Sequence, residues 1–227
     1  MTLLAHCFRL SLLALCFVGL CTFPARAQEE GRSVKLVGVD EEHINLEVDG
    51  RRVRIPLPDG YVVFTEEDYP EMYRFLYKFE EEELMIPLCG LVNAEALDKE
   101  IDRLDIKTAY FMIDRDYAEH RFNEESFHNE IQHLKELDRQ ISEEKSDSAE
   151  RIFDYSYIYE DKGTLSELRI ERNARKNIGR RLAYTSTDKL FEDIAIEFTF
   201  YSWVKDDNDI NILSVETENY IKKLGKQ

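Results

Sequence analysis

Apolar and polar positions alternate along His43-Ile-Asn-Leu-Glu-Val48, putting Ile44, Leu46 and Val48 on one side of an extended chain. Asp49-Gly50 follows, a dipeptide suited to the positive-φ turn of a two-residue hairpin. Arg51-Arg-Val-Arg-Ile-Pro-Leu57 then returns with Val53, Ile55 and Leu57 on the matching face, so a hairpin is predicted here. Ser33-Val-Lys-Leu-Val-Gly38 reads as a strand before it. Pro56-Leu-Pro-Asp-Gly60 interrupts the pattern and Tyr61-Val-Val-Phe64 resumes it, which predicts a kink in an edge strand, because proline donates no ladder hydrogen bond.

The period then changes from two to 3.6. Thr65-Glu-Glu-Asp68 resembles a capping box, and Met72, Phe75, Leu76 and Phe79 form the inner stripe of a helix reaching about residue 82. Tyr69, Tyr73 and Tyr77 run beside that stripe as a broadening of the buried face. Leu84 to Val92 reads as a buried strand, and Asn93 is expected to cap a helix carrying Leu97, Ile101 and Leu104. Ile106 to Ile113 predicts another strand. Asn123 to about Glu143 predicts the longest helix, with Phe127, Ile131, Leu134, Leu137 or Asp138, and Ile141 inward.

Residues 142–150 are polar and read as a flexible linker. Beyond it, Ile152 to Glu160 alternates with Phe153, Tyr155, Tyr157 and Tyr159 on one face. Thr164 to Ile170 reads as a strand, although Thr164 and Glu167 also fit a helical capping box. Arg181 to Ser186 and Phe191 to Val204 are strands, and a helix from about Asp209 to Leu224, stopped by Gly225, is expected to dock on the sheet. Runs of strands broken by helices predict an α+β fold with a largely antiparallel sheet.

The first 27 residues change the picture from fold to address. An apolar block from Leu10 to Leu20 ends in Ala25-Arg-Ala27, the layout of a cleavable secretory signal peptide, and it is shorter than the roughly 20 residues of a membrane-spanning helix. Removing 27 residues from 227 leaves 200, read as a single domain over 28–227. Cys7, Cys16 and Cys21 leave with the leader, so Cys89 alone remains and no internal disulfide forms. Cysteine usage and the lack of an Asn-x-Ser/Thr site in the mature chain suit a bacterial periplasmic or extracellular protein.

The whole chain carries 30 cations against 47 acids, and the leader holds Arg9 and Arg26 and no acid, so the mature charge is −19. Such a chain repels nucleic acid and anionic lipid. No apolar run after the leader approaches membrane-spanning length.

With its leader, the early strand running into Ile55-Pro-Leu-Pro-Asp-Gly-Tyr61, the lone strand cysteine, the long middle helix and the closing helix, the chain resembles a set of small exported bacterial proteins. The resemblance implies an α+β sandwich of the Mog1/PsbP-like kind and implies no activity.

Candidate chemistry is sparse. Cys89 lies in an apolar strand, where a thiol is structural rather than nucleophilic. His128 and His133 flank Glu130, but a spacing of five turns the second ring about 140° away, so one helix does not offer both to a metal. Asp207, Asp209, Asn211 and Glu218 copy the spacing of a calcium loop, with Ile212 where its turn requires glycine. Nucleotide-binding and serine-nucleophile motifs are missing, and no cofactor is expected.

One local departure from the acidic balance stands out. Arg169, Arg172, Arg175, Lys176, Arg180 and Arg181 fall within thirteen residues, opposed by Glu171. They are expected either to engage an anionic ligand or an envelope partner, or to neutralise the chain's own acids. The expected function is therefore a non-catalytic exported binding domain. The alternative is a cofactor-free hydrolase in which His120, His128 or His133 meets Asp114, Asp116 or Cys89 in space.

Overall fold

A computed structural model describes residues 33–81, 85–97, 102–144, 153–173, 175 and 178–225. Residues 1–32, including the expected leader, Lys176, and residues 145–150 of the expected linker lie outside them, as do the side chains of Phe79, Leu97, Leu137 and Ile141. The fold is α+β and antiparallel. Strands β1 (Val34–Val39), β2 (His43–Val48) and β3 (Arg51–Pro56) form a small sheet. The large sheet contains β4 (Tyr61–Val63), β5 (Met85–Asn93), β6 (Thr108–Asp114), β7 (Phe153–Asp161), β8 (Thr164–Glu171), β9 (Arg181–Phe191) and β10 (Ile194–Val204), in the order β4-β5-β6-β10-β9-β8-β7. Helices are α1 (Pro70–Glu81), α2 (Arg115–Glu119), α3 (Glu124–Glu144) and α4 (Asp207–Leu224). Among the described residues, no helix is long and apolar enough to cross a membrane.

The predicted hairpin forms in the expected register, Ile44 opposite Ile55 and Leu46 opposite Val53. Asp49 and Gly50 both take positive φ, 52° and 77°, which matches the twist that a two-residue turn must give its strands. The Pro56–Gly60 break is not a kink within one strand. Tyr61–Val63 leaves the small sheet and pairs with β5 as the edge of the large one.

One face of the large sheet carries Phe111, Phe198 and Phe200, all buried, and packs on Ile44, Leu46, Val48 and Ile55 of the small sheet. Helix α4 docks on this same face through Ile210, Leu213, Tyr220, Ile221 and Leu224. Its Tyr220 hydroxyl donates to the Pro56 carbonyl at 2.7 Å, fastening the helix to the end of the hairpin. Each aliphatic or aromatic side chain fully buried here contributes roughly 1.5–3 kcal/mol. Arg51 reaches Glu192 and Asp193 in the β9–β10 turn, joining the two sheets at their rim.

The opposite face, the helix face, carries α1 and α3; α2 lies at its rim, with Tyr117 packed beside Phe127 and Ala118 in the sandwich core. Helix α1 lays Leu76 over Met85, Val92, Tyr110 and Met112. Thr65 and Asp68 exchange hydrogen bonds as a capping box one turn ahead of Pro70, which opens the helix. Helix α3 presses Phe127 and Ile131 onto Leu165 and Ala195. Asn123 and Ser126 cap it reciprocally at 2.9 Å.

Several expectations are corrected. Asn93 ties to Lys107, its backbone N–H donating to the Lys107 carbonyl and its side-chain Oδ1 accepting from the Lys107 N–H, and a short 3-10 turn (Ala94–Leu97) follows; Ile101 of the expected helix lies outside the described residues. Helix α3 runs on to Glu144, so the expected linker begins as helix. The expected strand from Thr164 forms, as Thr164–Glu171 between β7 and β9, and the helical alternative is not taken. The β7 tyrosines do not share one face, because a bulge between Tyr157 and Tyr159 turns Tyr159 to the sandwich side. Helix α2 was not expected; Asp114 caps it by accepting from the Asp116 amide at 2.7 Å.

Candidate functional site

Strand register lines the helix face with polar rungs. Met112, Glu197, Asp188 and Leu165 stand side by side across β6, β10, β9 and β8. Tyr110, Thr199, Ser186, Glu167 and Tyr157 form the next rung, and Thr108, Tyr201, Tyr184, Arg169 and Tyr155 the one after. Trp203 and Leu182 continue it. A sheet face between two helices is ordinarily apolar, so this concentration of charge and phenol marks the surface.

At one end lies a carboxylate group. Glu197 accepts from Ser186 Oγ at 3.0 Å and from Thr199 Oγ1 at 3.2 Å. Burial holds its proton above the usual carboxylate range, the two hydroxyls work against that, Asp114 reinforces it and Arg169 opposes it. Asp114 is also raised, first by burial and then by the neighbouring Asp116 and Glu130 charges. The Tyr117 hydroxyl is pushed up by burial and by Asp188, Glu130, Asp114 and Glu197.

Rings and arginines occupy the other end. Tyr184 and Tyr201 stack with centroids 5.2 Å apart, and Tyr110 meets Tyr201 edge-on at 5.6 Å. Burial raises the Tyr110 phenol to about 12. The Arg175 guanidinium lies 4.4 Å over the Trp203 ring and donates from Nε to Glu171 at 3.2 Å. Arg169 pairs with Glu167 at 2.5 Å. Planar guanidinium forks beside aromatic faces provide stacking surface and directional donors in one place.

The six expected cations do not make one patch. Arg169 stands opposite Tyr184 and Arg181 opposite Val204, an odd offset that sends them to opposite faces of the sheet. Each described member has an acid: Arg172 takes Asp154, Arg175 takes Glu171, Arg180 takes Asp105 at 2.6 Å and Arg181 takes Asp207 at 3.2 Å. Neutralisation of the chain's own acids describes these contacts. Among the described residues the partners come from β7 (Asp154), β8 (Glu171) and α4 (Asp207), with Asp105 serving Arg180.

Cys89 is buried in the sandwich core, and burial pushes its thiol far up, as an inert structural cysteine requires. Asp114 faces the other side of the sheet. His120 points its Nδ1 at the Asp116 carbonyl, and His133 is exposed. His128 buries Nδ1 against no hydrogen-bond partner among the described residues. His120 thus meets Asp116 through its backbone carbonyl, while Cys89 and Asp114 stand on opposite faces of the sheet.

Asp207, Asp209, Asn211 and Glu218 all lie on the continuous helix α4, so they do not fold into a calcium loop. Asp209 instead accepts from the Lys205 amide, and Glu218 pairs with Lys222. Asp206, one residue before the helix, is its cap. Among the described residues, no three His, Cys, Asp or Glu side chains are grouped to hold a metal ion.

Sequence reasoning missed Glu197, Asp188, Tyr117, Tyr184 and Trp203. In β10 the polar Glu197 and Thr199 alternate with Ile196, Phe198 and Phe200, the ordinary signature of a strand with one wet face. No signal in the chain distinguishes a wet face from a polar face partly roofed by helices. No family model, no curated protein and no solved structure matches the chain, so the reading of this site rests on its geometry.

Proposed function

We propose that the chain is an exported, non-catalytic binding domain whose contact surface is the ring-and-arginine end of the helix face. The observation that carries the reading is Arg175 stacked on Trp203, beside the Tyr184–Tyr201 pair and Arg169, on one face of a sheet. Recognition there runs through ring stacking and directional hydrogen bonds, because the acids Glu167 and Glu171 already balance the two arginines. The ligand or envelope partner is accordingly held with weak salt dependence, unlike a ligand held by net charge. The leader directs the chain out of the cytoplasm, and the mature protein begins at Gln28.

The test uses the mature chain immobilised against an envelope extract. Species retained by the wild type are lost from the Trp203→Ala, Arg175→Gln double variant and kept by Arg172→Gln, Arg181→Gln. Equal retention by the first variant, or loss from the second alone, overturns the reading. Intact mass of the secreted chain checks the leader; a mass still including residues 1–27 refutes cleavage there.

A further inference from the structure

The small sheet has one buried side and one open side. Its inner residues Ile44, Leu46 and Ile55 are fully buried in the sandwich core, while Lys35, Arg52 and Arg54 are exposed. Register stands Lys35, Glu47 and Arg52 side by side across β1, β2 and β3, with Arg54 beside Asn45 on the same side. Neither Lys35 nor Arg52 meets an acid at salt-bridge distance among the described residues. Arg54 donates from Nη2 to His43 Nδ1 at 2.9 Å and lies 3.9 Å from Asp40. That carboxylate is already engaged, because it accepts from the Glu42 and His43 amides and from Asn45 Nδ2. On the free edge of β1, Val37 sits at the bulge between Leu36 and Gly38 and is 58% exposed. Three cations and an exposed aliphatic edge thus share one open strand surface on a strongly acidic chain.

We propose that the open side of the small sheet docks the protein on an anionic lipid bilayer, with Lys35, Arg52 and Arg54 against the headgroups and Val37 in the interfacial layer. Charge complementarity selects this occupant. Cations without acid partners on one sheet surface suit an array of lipid phosphates, and each cation near such a bilayer strengthens binding about fivefold. The exposed aliphatic edge adds apolar burial at headgroup depth. The net negative charge of the chain opposes the approach, but exposed charges more than about 10 Å apart are largely screened at about 0.1 M salt. Packed sheets are themselves about 10 Å apart, so the acids of the helix layer act from beyond that range. The acids of the β1–β2 turn, Asp40, Glu41 and Glu42, lie at the other end of the strands from Arg52. Trp203 and Arg175 lie across the sandwich from this surface, so a docked chain turns its helix face away from the bilayer.

Co-sedimentation of the mature chain with phosphatidylglycerol vesicles and with phosphatidylcholine vesicles tests the docking. The wild type binds the anionic vesicles at low ionic strength, releases them as salt is raised, and stays in solution with the neutral ones. Arg52→Gln combined with Arg54→Gln weakens binding at least about twentyfold, two factors of about five. Arg172→Gln combined with Arg181→Gln changes the net charge equally from elsewhere on the molecule and leaves binding unchanged. Arg52→Gln alone weakens it about fivefold and gives the reading if the paired variant does not fold. No binding to anionic vesicles, equal binding to neutral ones, or equal loss from both arginine pairs overturns the proposal. If the surface takes up soluble polyglutamate and no vesicle, its occupant is an acidic polypeptide; if the Arg52, Arg54 variant dissolves a dimer and no vesicle binds, its occupant is a second copy. Both results overturn the bilayer as partner.

Discussion

The tip of the Phe64 ring occupies the space in which a β-carbon on Gly90 would sit, closer than real side chains approach. The Phe64 amide also donates to the Gly90 carbonyl at 3.2 Å, so the chain enters α1 with ring and backbone both fixed on β5. Phe64 is buried, its ring edge-on to Tyr69 and Tyr110. Gly90→Ala is expected to cost about 1–3 kcal/mol by overpacking. Urea unfolding measures it. Combined with Phe64→Leu, the loss should be smaller than the sum of the single changes, because both act on one contact.

A pair of core hydroxyls gives an asymmetric prediction. Thr217 donates to the Leu213 carbonyl at 3.0 Å, so the 2.7 Å contact between Thr185 and Thr217 has Thr185 as donor. Thr217→Val then leaves the buried Thr185 hydroxyl without its acceptor and should cost about 1–3 kcal/mol. Thr185→Val leaves Thr217 bonded and should cost less than about 1 kcal/mol. Equal costs in thermal melts would contradict the assigned donor.

The arginines at 172 and 180 are expected to behave as unlike residues. Arg172 meets Asp154 in the open, and Arg172→Gln should change stability by no more than about 0.5 kcal/mol. Arg180 is buried and bonds both Asp105 and the Leu104 carbonyl at 2.6 Å. Its replacement by Gln should cost about 2 kcal/mol, the scale of a lost charge-assisted bond. Denaturant titration of the two variants decides.

Cys89 provides an internal reporter. Its thiol is buried and held protonated, so a thiol reagent at neutral pH should label the native chain at least about a thousandfold more slowly than the unfolded one. Labelling should follow global unfolding and shift with Gly90→Ala, which lies beside it in β5. Rapid labelling of the folded chain would show that β5 opens locally.

Local chemistry made the hairpin legible, since Asp49-Gly50 encodes its turn and the alternation on either side encodes its face. The same five residues, Pro56 to Gly60, fit both a kink and a crossing between sheets, and only packing distinguishes them. Helix α4 was legible because its apolar stripe is long and Gly225 ends it. The site was not. Arg180 and Arg181 are conspicuous in the chain, yet their partners Asp105 and Asp207 lie 75 and 26 residues away. Sequence spacing does not encode such pairings, nor does it reveal that helices roof the alternate side of β10.

The placing of β10 beside β6 has a consequence for assembly. Phe111 lies opposite Phe198, 87 positions later, in the middle of the large sheet. The hairpin of the small sheet closes over a few residues and can form early, whereas β6 waits for β10, the last strand among the described residues. A chain emerging N-terminus first therefore carries Ala109-Tyr-Phe-Met-Ile113 as an unpaired, sticky edge until residue 204 has followed. Truncations that remove β10 should yield no partly folded N-terminal half but an aggregating one, a dependence on full-length delivery that only this strand order imposes.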